Sequence, residues 1–193
     1  MSCLALFLGV SAQAAKPNGD VDEFLDQRTG ASVTIVRQPL TFALERTTLA
    51  AHSRDYVSLS ALEVDRSGQA HLYMLGYFWS TIDRRTGATG PNPTDTSILV
   101  FADGRPIRLT PILPLPKDLE ANPQLLAPET ARYEEAAYQV TWEQLRFISN
   151  SKVLKLQIVA DKEDDDAEAE TYEIWTDARR ALGRFVARIG PGG

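Results

Sequence analysis

Between Tyr56 and Ile82 the chain carries two long apolar runs, Tyr56 to Val64 and Ala70 to Ile82 (AHLYMLGYFWSTI), separated by the turn-forming DRSG of Asp65 to Gly68. Two such runs joined by so short a turn read as a hairpin. Side chains alternate across a strand, so His71, Tyr73, Leu75, Tyr77 and Trp79 share one face, while Leu72, Met74, Gly76, Phe78 and Ile82 share the other. A strand that is apolar on both faces must be covered on both, which places it at the centre of a sheet. The rest of the fold has to supply those two covers.

More strands are legible on either side. Ser32 to Val36 is rich in β-branched residues, and Leu40, Phe42 and Leu44 then alternate with Thr41, Ala43 and Glu45 after Pro39. Thr96 to Ala102 alternates as well, and Asp103-Gly104 has the chemistry of a two-residue turn with positive φ leading into Pro106 to Thr110. Lys152 to Ala160 and Glu170 to Trp175 read as two further strands joined by an acidic segment. Between Pro106 and Pro128 the density of proline excludes both a helix interior and a central strand. That segment is expected to cross the sheet irregularly, lying on it through Ile112, Leu113 and Leu115.

Two helices are expected. Thr141-Trp142-Glu143-Gln144 has the spacing of a capping box after a short strand at Tyr138 to Thr141, and should start a helix burying Trp142, Leu145 and Ile148. Thr176 can cap a last helix in which Ala178, Leu182, Phe185, Val186 and Ile189 recur at helical spacing before Gly190-Pro191. The expected fold is therefore mainly β: an antiparallel β-sandwich or strongly curled sheet of about seven to nine strands. A short helix near 142–149 and a C-terminal amphipathic helix over 177–189 complete a single globular domain spanning 15–193, large enough for a proper core.

The first fifteen residues, MSCLALFLGVSAQAA, are uncharged, and Leu4 to Val10 runs into Ala12-Gln13-Ala14, the small-x-small pattern of a signal peptidase site. Residues 1–14 therefore read as a signal peptide, and the protein as periplasmic or secreted. No Lys or Arg precedes the apolar run, as a start codon placed too late would leave it. Cys3 is the one cysteine and lies in this leader, so the mature chain has no disulfide and no thiol nucleophile. No apolar run after Ala15 approaches the length of a transmembrane span, about eighteen residues. A net charge of -6 argues against nucleic acid as a partner.

Chemical signatures are sparse. The chain lacks a G-x-S-x-G elbow, an H-E-x-x-H pair, a P-loop and a strand-linked G-x-G-x-x-G. With two histidines, His52 and His71, no His-rich metal site can be built, and no cofactor or metal is expected. A triad through His52 and Asp55 would need geometry that spacing does not supply. Glu45, Glu63, Asp83, Glu143 and Glu173 are the acids open to paired-carboxylate chemistry, none distinguished from the others.

Three features invite a binding reading, each with a plainer structural one. The aromatic face of Tyr73, Tyr77 and Trp79 offers rigid area to a sugar or peptide, unless it is simply core. DRRTGAT at Asp83 to Thr89 echoes DQRTGAS at Asp26 to Ser32, and its Arg84 and Arg85 with the amides of Gly87 and Gly90 could form an anion nest; the favoured account of the echo is ordinary turn chemistry, since the loop has neither a P-loop lysine nor a clear following helix. Arg180, Arg184 and Arg188 repeat every four residues along the last helix as an interaction face or a solvated one. The acidic run Asp161 to Glu170 lacks the spacing of a calcium loop and reads as a solvated connection. The function that these features favour is a non-catalytic binding module for an envelope protein or polymer. The alternative is a carboxylate hydrolase acting on cell-wall or exported polysaccharide.

Overall fold

The two apolar runs become the longest strands of the fold. The computed structural model describes residues 19–48, 52–81, 97–116, 119, 133–159 and 170–190. In chain order the elements are β1 (Val21–Asp26), β2 (Ala31–Val36), β3 (Leu40–Glu45), β4 (Arg54–Arg66), β5 (Gln69–Ser80), β6 (Ile98–Ala102), β7 (Arg105–Leu109), β8 (Glu134–Gln139), α1 (Trp142–Asn150), β9 (Leu154–Ile158), β10 (Thr171–Thr176) and α2 (Arg179–Ile189). β4 and β5 pair from Arg66↔Gln69 out to Asp55↔Ser80. Their turn is tight because Ser67 and Gly68 both take positive φ, 56° and 82°.

β5 lies between β4 and β8, as a strand apolar on both faces must. The far edge of β4 is shared: β3 pairs with its first half, Arg54 to Leu59, and β2 with its second, Leu62 to Asp65. The sheet forks there, and the buried Ser60 hydroxyl donates to the Val36 carbonyl at 2.7 Å across the fork. One branch ends in β2 and β1, while the other continues through β3, β10, β9, β6 and β7. Just past β7, Pro111 bridges to Tyr138 of β8 and the Ile112 amide donates to the Ala137 carbonyl at 2.8 Å. The strongly curled sheet thus comes round on itself, and eight of the ten strands among the described residues form a ring.

Inside this ring lie Phe42, Val57, Leu59, Met74, Phe78, Val100, Leu109, Tyr138 and Leu156. The helices stop one end, adding Leu145 and Ile148 from α1 and Leu182, Phe185 and Val186 from α2 to the same core. Burying one such side chain fully contributes about 1.5–3 kcal/mol, which is why two short helices stay docked on the ring. Gly76 makes room in the wall: a Cβ there would meet the Tyr138 ring at 3.0 Å and the Phe78 ring at 3.3 Å.

Local chemistry fixes the ends. Thr141 Oγ1 accepts the Gln144 amide at 3.2 Å and Gln144 Oε1 accepts the Thr141 amide at 2.8 Å, the expected capping box. α2 begins two residues later than expected and without the Thr176 cap. Thr176 is held in the ladder opposite Thr41, so Ala178 occupies the N-cap, and the Asp177 carboxylate accepts the Arg179 amide at 3.0 Å. The Asp103-Gly104 turn has φ of 49° and 81°, and Asp103 Oδ1 accepts the amides of Lys152 and Val153.

A second, smaller core covers part of the outer face of the β4–β5 hairpin. It gathers Ala31, Val33, Ile35, Leu62, Val64, Tyr73, Leu75, Tyr77, Leu119 and Ala137, with Ile112 and Leu115 packed against them. The proline-rich crossover does lie on the sheet, but through Ile112, Leu115 and Leu119; Leu113 points away and is 61% exposed. β1 and the first four residues of β8, Glu134 to Ala137, were not legible as strands. The first copy of the echo is the β1–β2 turn, with Gly30 at φ 70°. Asp26 there is buried rather than wet, and the Thr29 hydroxyl, followed by the Arg28 amide, holds its carboxyl below the usual range. The leader, residues 83–89 and most of the acidic run lie outside the described residues.

Candidate functional site

On the outer face of the ring, where the second core ends, three aromatic rings meet. The turn at Ser67-Gly68 sets the β4–β5 register, and that register puts Tyr56 directly opposite Trp79. Their rings stack with centroids 5.2 Å apart and planes 12° from parallel. Across β3, the short Ala43 opposite Tyr56 leaves room above the sheet, and Trp175 of β10 fills it from a bulge between Ile174 and Thr176. Its ring meets Tyr56 edge-on at 5.9 Å and 77°.

Trp175 is 57% exposed, although the residue type is usually well buried. The Arg54 guanidinium lies 4.9 Å from its ring centroid, and Arg54 in turn binds Glu45 at 2.8 Å. Its pKa is raised, chiefly by that bond to Glu45. The indole is therefore braced on one edge by Tyr56 and capped on one face by a cation. The arrangement offers a rigid apolar platform with charged groups at its rim.

The sequence-based candidates are distributed as follows. Of the aromatic face, Trp79 belongs to the platform and also packs against the second core, in which Tyr73 and Tyr77 lie; Tyr77 is 1% exposed and packs edge-on against Tyr133 at 5.4 Å. Burial, then the charge of Glu135, raises the Tyr77 phenol far above its ordinary range. Arg84 and Arg85 lie outside the described residues. On α2, Arg184 is paired with Asp20, just before β1, and Arg188 with Glu23 of β1, while Arg180 is exposed. Tyr56 and Trp175, the other two members of the platform, were not singled out by the sequence.

Of the candidate acids, Glu45 and Glu173 are diagonal neighbours beside the platform, since Glu173 faces Ala43 two residues before Glu45. Each is exposed and held by a cation, Arg54 and Lys155 respectively, both at 2.8 Å. Glu143 sits on the first turn of α1, where its own backbone amide and Thr141 hold its carboxyl low. Glu63 on β4 is raised by burial first, then by Asp65 and Glu23. Asp83 lies outside the described residues. His52 is exposed at a turn, and the Asp55 carboxylate is engaged by Arg46 Nε at 2.6 Å. Glu170, the last residue of the acidic run, binds the same guanidinium at 2.5 Å.

Among the described residues no His, Cys, Asp and Glu side chains gather into a group that could hold a metal ion, and no helix is long and apolar enough to cross a membrane. No protein-family model matches the chain, and comparisons with curated proteins and with solved structures returned no match.

Proposed function

We propose that this protein is an exported, non-catalytic binding module whose Tyr56–Trp79–Trp175 platform holds a carbohydrate polymer of the cell envelope. The observation that carries the reading is the exposed Trp175 indole, set by Tyr56 and Arg54 rather than sunk into either core. A pyranose presents an apolar C–H face and a polar rim. The platform matches it with rigid aromatic area surrounded by Arg54, Glu45 and Glu173, and fixed rings bind with little loss of conformational entropy. Export rests on the uncharged leader and the Ala12-Gln13-Ala14 motif.

The test is co-sedimentation of the full chain with purified peptidoglycan and with an insoluble neutral β-glucan. Wild type is expected in the pellet with at least one of them, and Trp175→Ala and Tyr56→Ala are expected to remain in the supernatant. Release of reducing ends, abolished by Glu45→Gln or Glu173→Gln, would replace the proposal with the hydrolase reading, because that pair flanks the platform. The mass of the protein isolated from its native host tests export, and a retained Met1 would refute it.

A further inference from the structure

A second recognition surface lies where the ring is least tightly closed. β7 pairs with β6 along its length, but among the described residues its link to β8 runs through the two residues after Thr110, by the Pro111–Tyr138 bridge and the Ile112–Ala137 hydrogen bond, and α1 lies beside it. The resulting groove has a volume of about 500 Å³ and is lined by Arg105, Pro106, Arg108, Glu143, Arg146 and Phe147, among others. Counted around the ring, β7 is three strands from β4 in one direction and three from β10 in the other, so the groove faces away from the aromatic platform.

The arginines of this protein divide sharply in their partners. Arg37, Arg46, Arg54, Arg179, Arg184 and Arg188 each hold a carboxylate. Among the described residues no carboxylate is paired with Arg105, Arg108 or Arg146, although the chain carries 26 acidic and 20 basic residues. Two of the three are instead laid over aromatic rings, Arg105 above Phe147 and Arg146 above Trp142, each at 5.2 Å. Stacking fixes a guanidinium in place yet leaves its N–H groups free to bind an anion, so these side chains lose little further entropy on engaging one. Among the described residues Glu143 is the one carboxylate in the lining.

The strand edge supplies the second half of the argument. A two-residue turn places its flanking residues, Ala102 and Arg105, in a hydrogen-bonded pair. By alternation the backbone groups of Arg105, Ile107 and Leu109 point to β6, and those of Pro106 and Arg108 point away from it into the groove. Proline on that side removes no ladder bond, as expected of an edge position. The Pro106 carbonyl and the Arg108 amide and carbonyl thus face the groove that the Arg105, Arg108, Arg146 and Phe147 side chains also line.

We propose that this groove binds an acidic peptide segment of a partner protein in extended form, added to the edge of β7 with its carboxylates on Arg105, Arg108 and Arg146. Backbone pairing provides the fit and the guanidiniums the choice of sequence. Binding should weaken steeply with salt, because the groups involved are near the surface.

The experiment uses the full chain and a fluorescently labelled hexaglutamate peptide, read by anisotropy at low and at physiological salt. Saturable binding is expected at low salt, weakened at least tenfold in Arg108→Gln and in the Arg105→Gln/Arg146→Gln double variant, with melting temperatures unchanged. A hexaglutamate methylated on alternate backbone nitrogens keeps its charge but cannot pair with a strand, and is expected to lose most of its affinity. Three results would overturn the proposal: no saturable binding at low salt; equal binding by the variants; or equal binding by the methylated peptide. In the last case inorganic polyphosphate should compete as well, and the groove would be a plain anion site.

Discussion

Tyr77 and Trp79 stand two residues apart on one face of β5, yet they have different surroundings. Tyr77 is 1% exposed beneath the crossover and packed among Leu62, Leu75 and Leu119, whereas Trp79 is half-buried and stacked on Tyr56 where that cover ends. Alternation assigns both to the same side of the strand and cannot separate them. What separates them is depth: Tyr77 is a buried member of the second core, and Trp79 packs at its border. One half of this face is a second core, and the other half, completed by the exposed Trp175 from a distant strand, is the aromatic surface to which the proposed binding is assigned.

Substitutions can break or sharpen this comparison. The largest effect is expected for Tyr77→Ala, which removes a fully buried ring and should lower unfolding free energy by about 3–5 kcal/mol in chemical denaturation. A loss below about 1 kcal/mol would mean that the cover is loose and that Tyr77 too is available to ligands. Gly76→Ala tests the opposite face of the same strand. Its Cβ would press on the Tyr138 and Phe78 rings, and overpacking there should cost about 1–3 kcal/mol.

Trp175→Ala should change stability by no more than about 0.5 kcal/mol, because an exposed ring contributes little to the fold. A larger cost would make Trp175 part of the packing and weaken the distinction between the two halves. The smallest effect concerns Glu63, whose carboxyl is raised above 4.5 by burial and by the neighbouring Asp65 and Glu23. A raised folded-state pKa means that ionisation opposes folding. The penalty is absent at pH values well below 4.5 and fully present once the pH exceeds the folded-state value. Glu63→Gln should therefore raise the melting temperature slightly at neutral pH, and the gain should vanish as the pH falls through the carboxylate range. Asp177, held low chiefly by Arg179, should show the reverse, with Asp177→Asn destabilising at neutral pH and neutral in acid.

Much of the fold was legible because its strands are half-buried and their turns carry specific chemistry. The β4–β5 hairpin, the Asp103-Gly104 turn and the capping box of α1 all follow from short-range rules. β1 escaped because VDEFLD places charge at three of six positions on an outer strand, leaving no clean alternation. α2 starts late because Thr176 is committed to pairing with Thr41, a contact that its immediate neighbours do not reveal.

The site was only half legible, for a similar reason. Once Ser67 and Gly68 are taken as the turn, the hairpin register alone puts Tyr56 opposite Trp79. Trp175 reaches the same place through the pairing of β10 with β3, more than a hundred residues apart and interrupted by a bulge. The arginines show the same limit: the stripe on α2 reads as an interaction face or a solvated one, and its spacing does not reveal that Arg184 pairs with Asp20 and Arg188 with Glu23. Arg105, Arg108 and Arg146, which have no regular spacing, are brought together in one groove, where among the described residues none of them is paired with a carboxylate.

The most direct test is to compare Tyr56→Ala, Trp175→Ala and Tyr77→Phe with wild type by retardation in gels containing soluble envelope polysaccharide, after confirming that each is folded. The account predicts that wild type and Tyr77→Phe are retarded alike, while Tyr56→Ala and Trp175→Ala migrate as they do in polymer-free gels. Equal retardation of all four proteins, or of none, would contradict it.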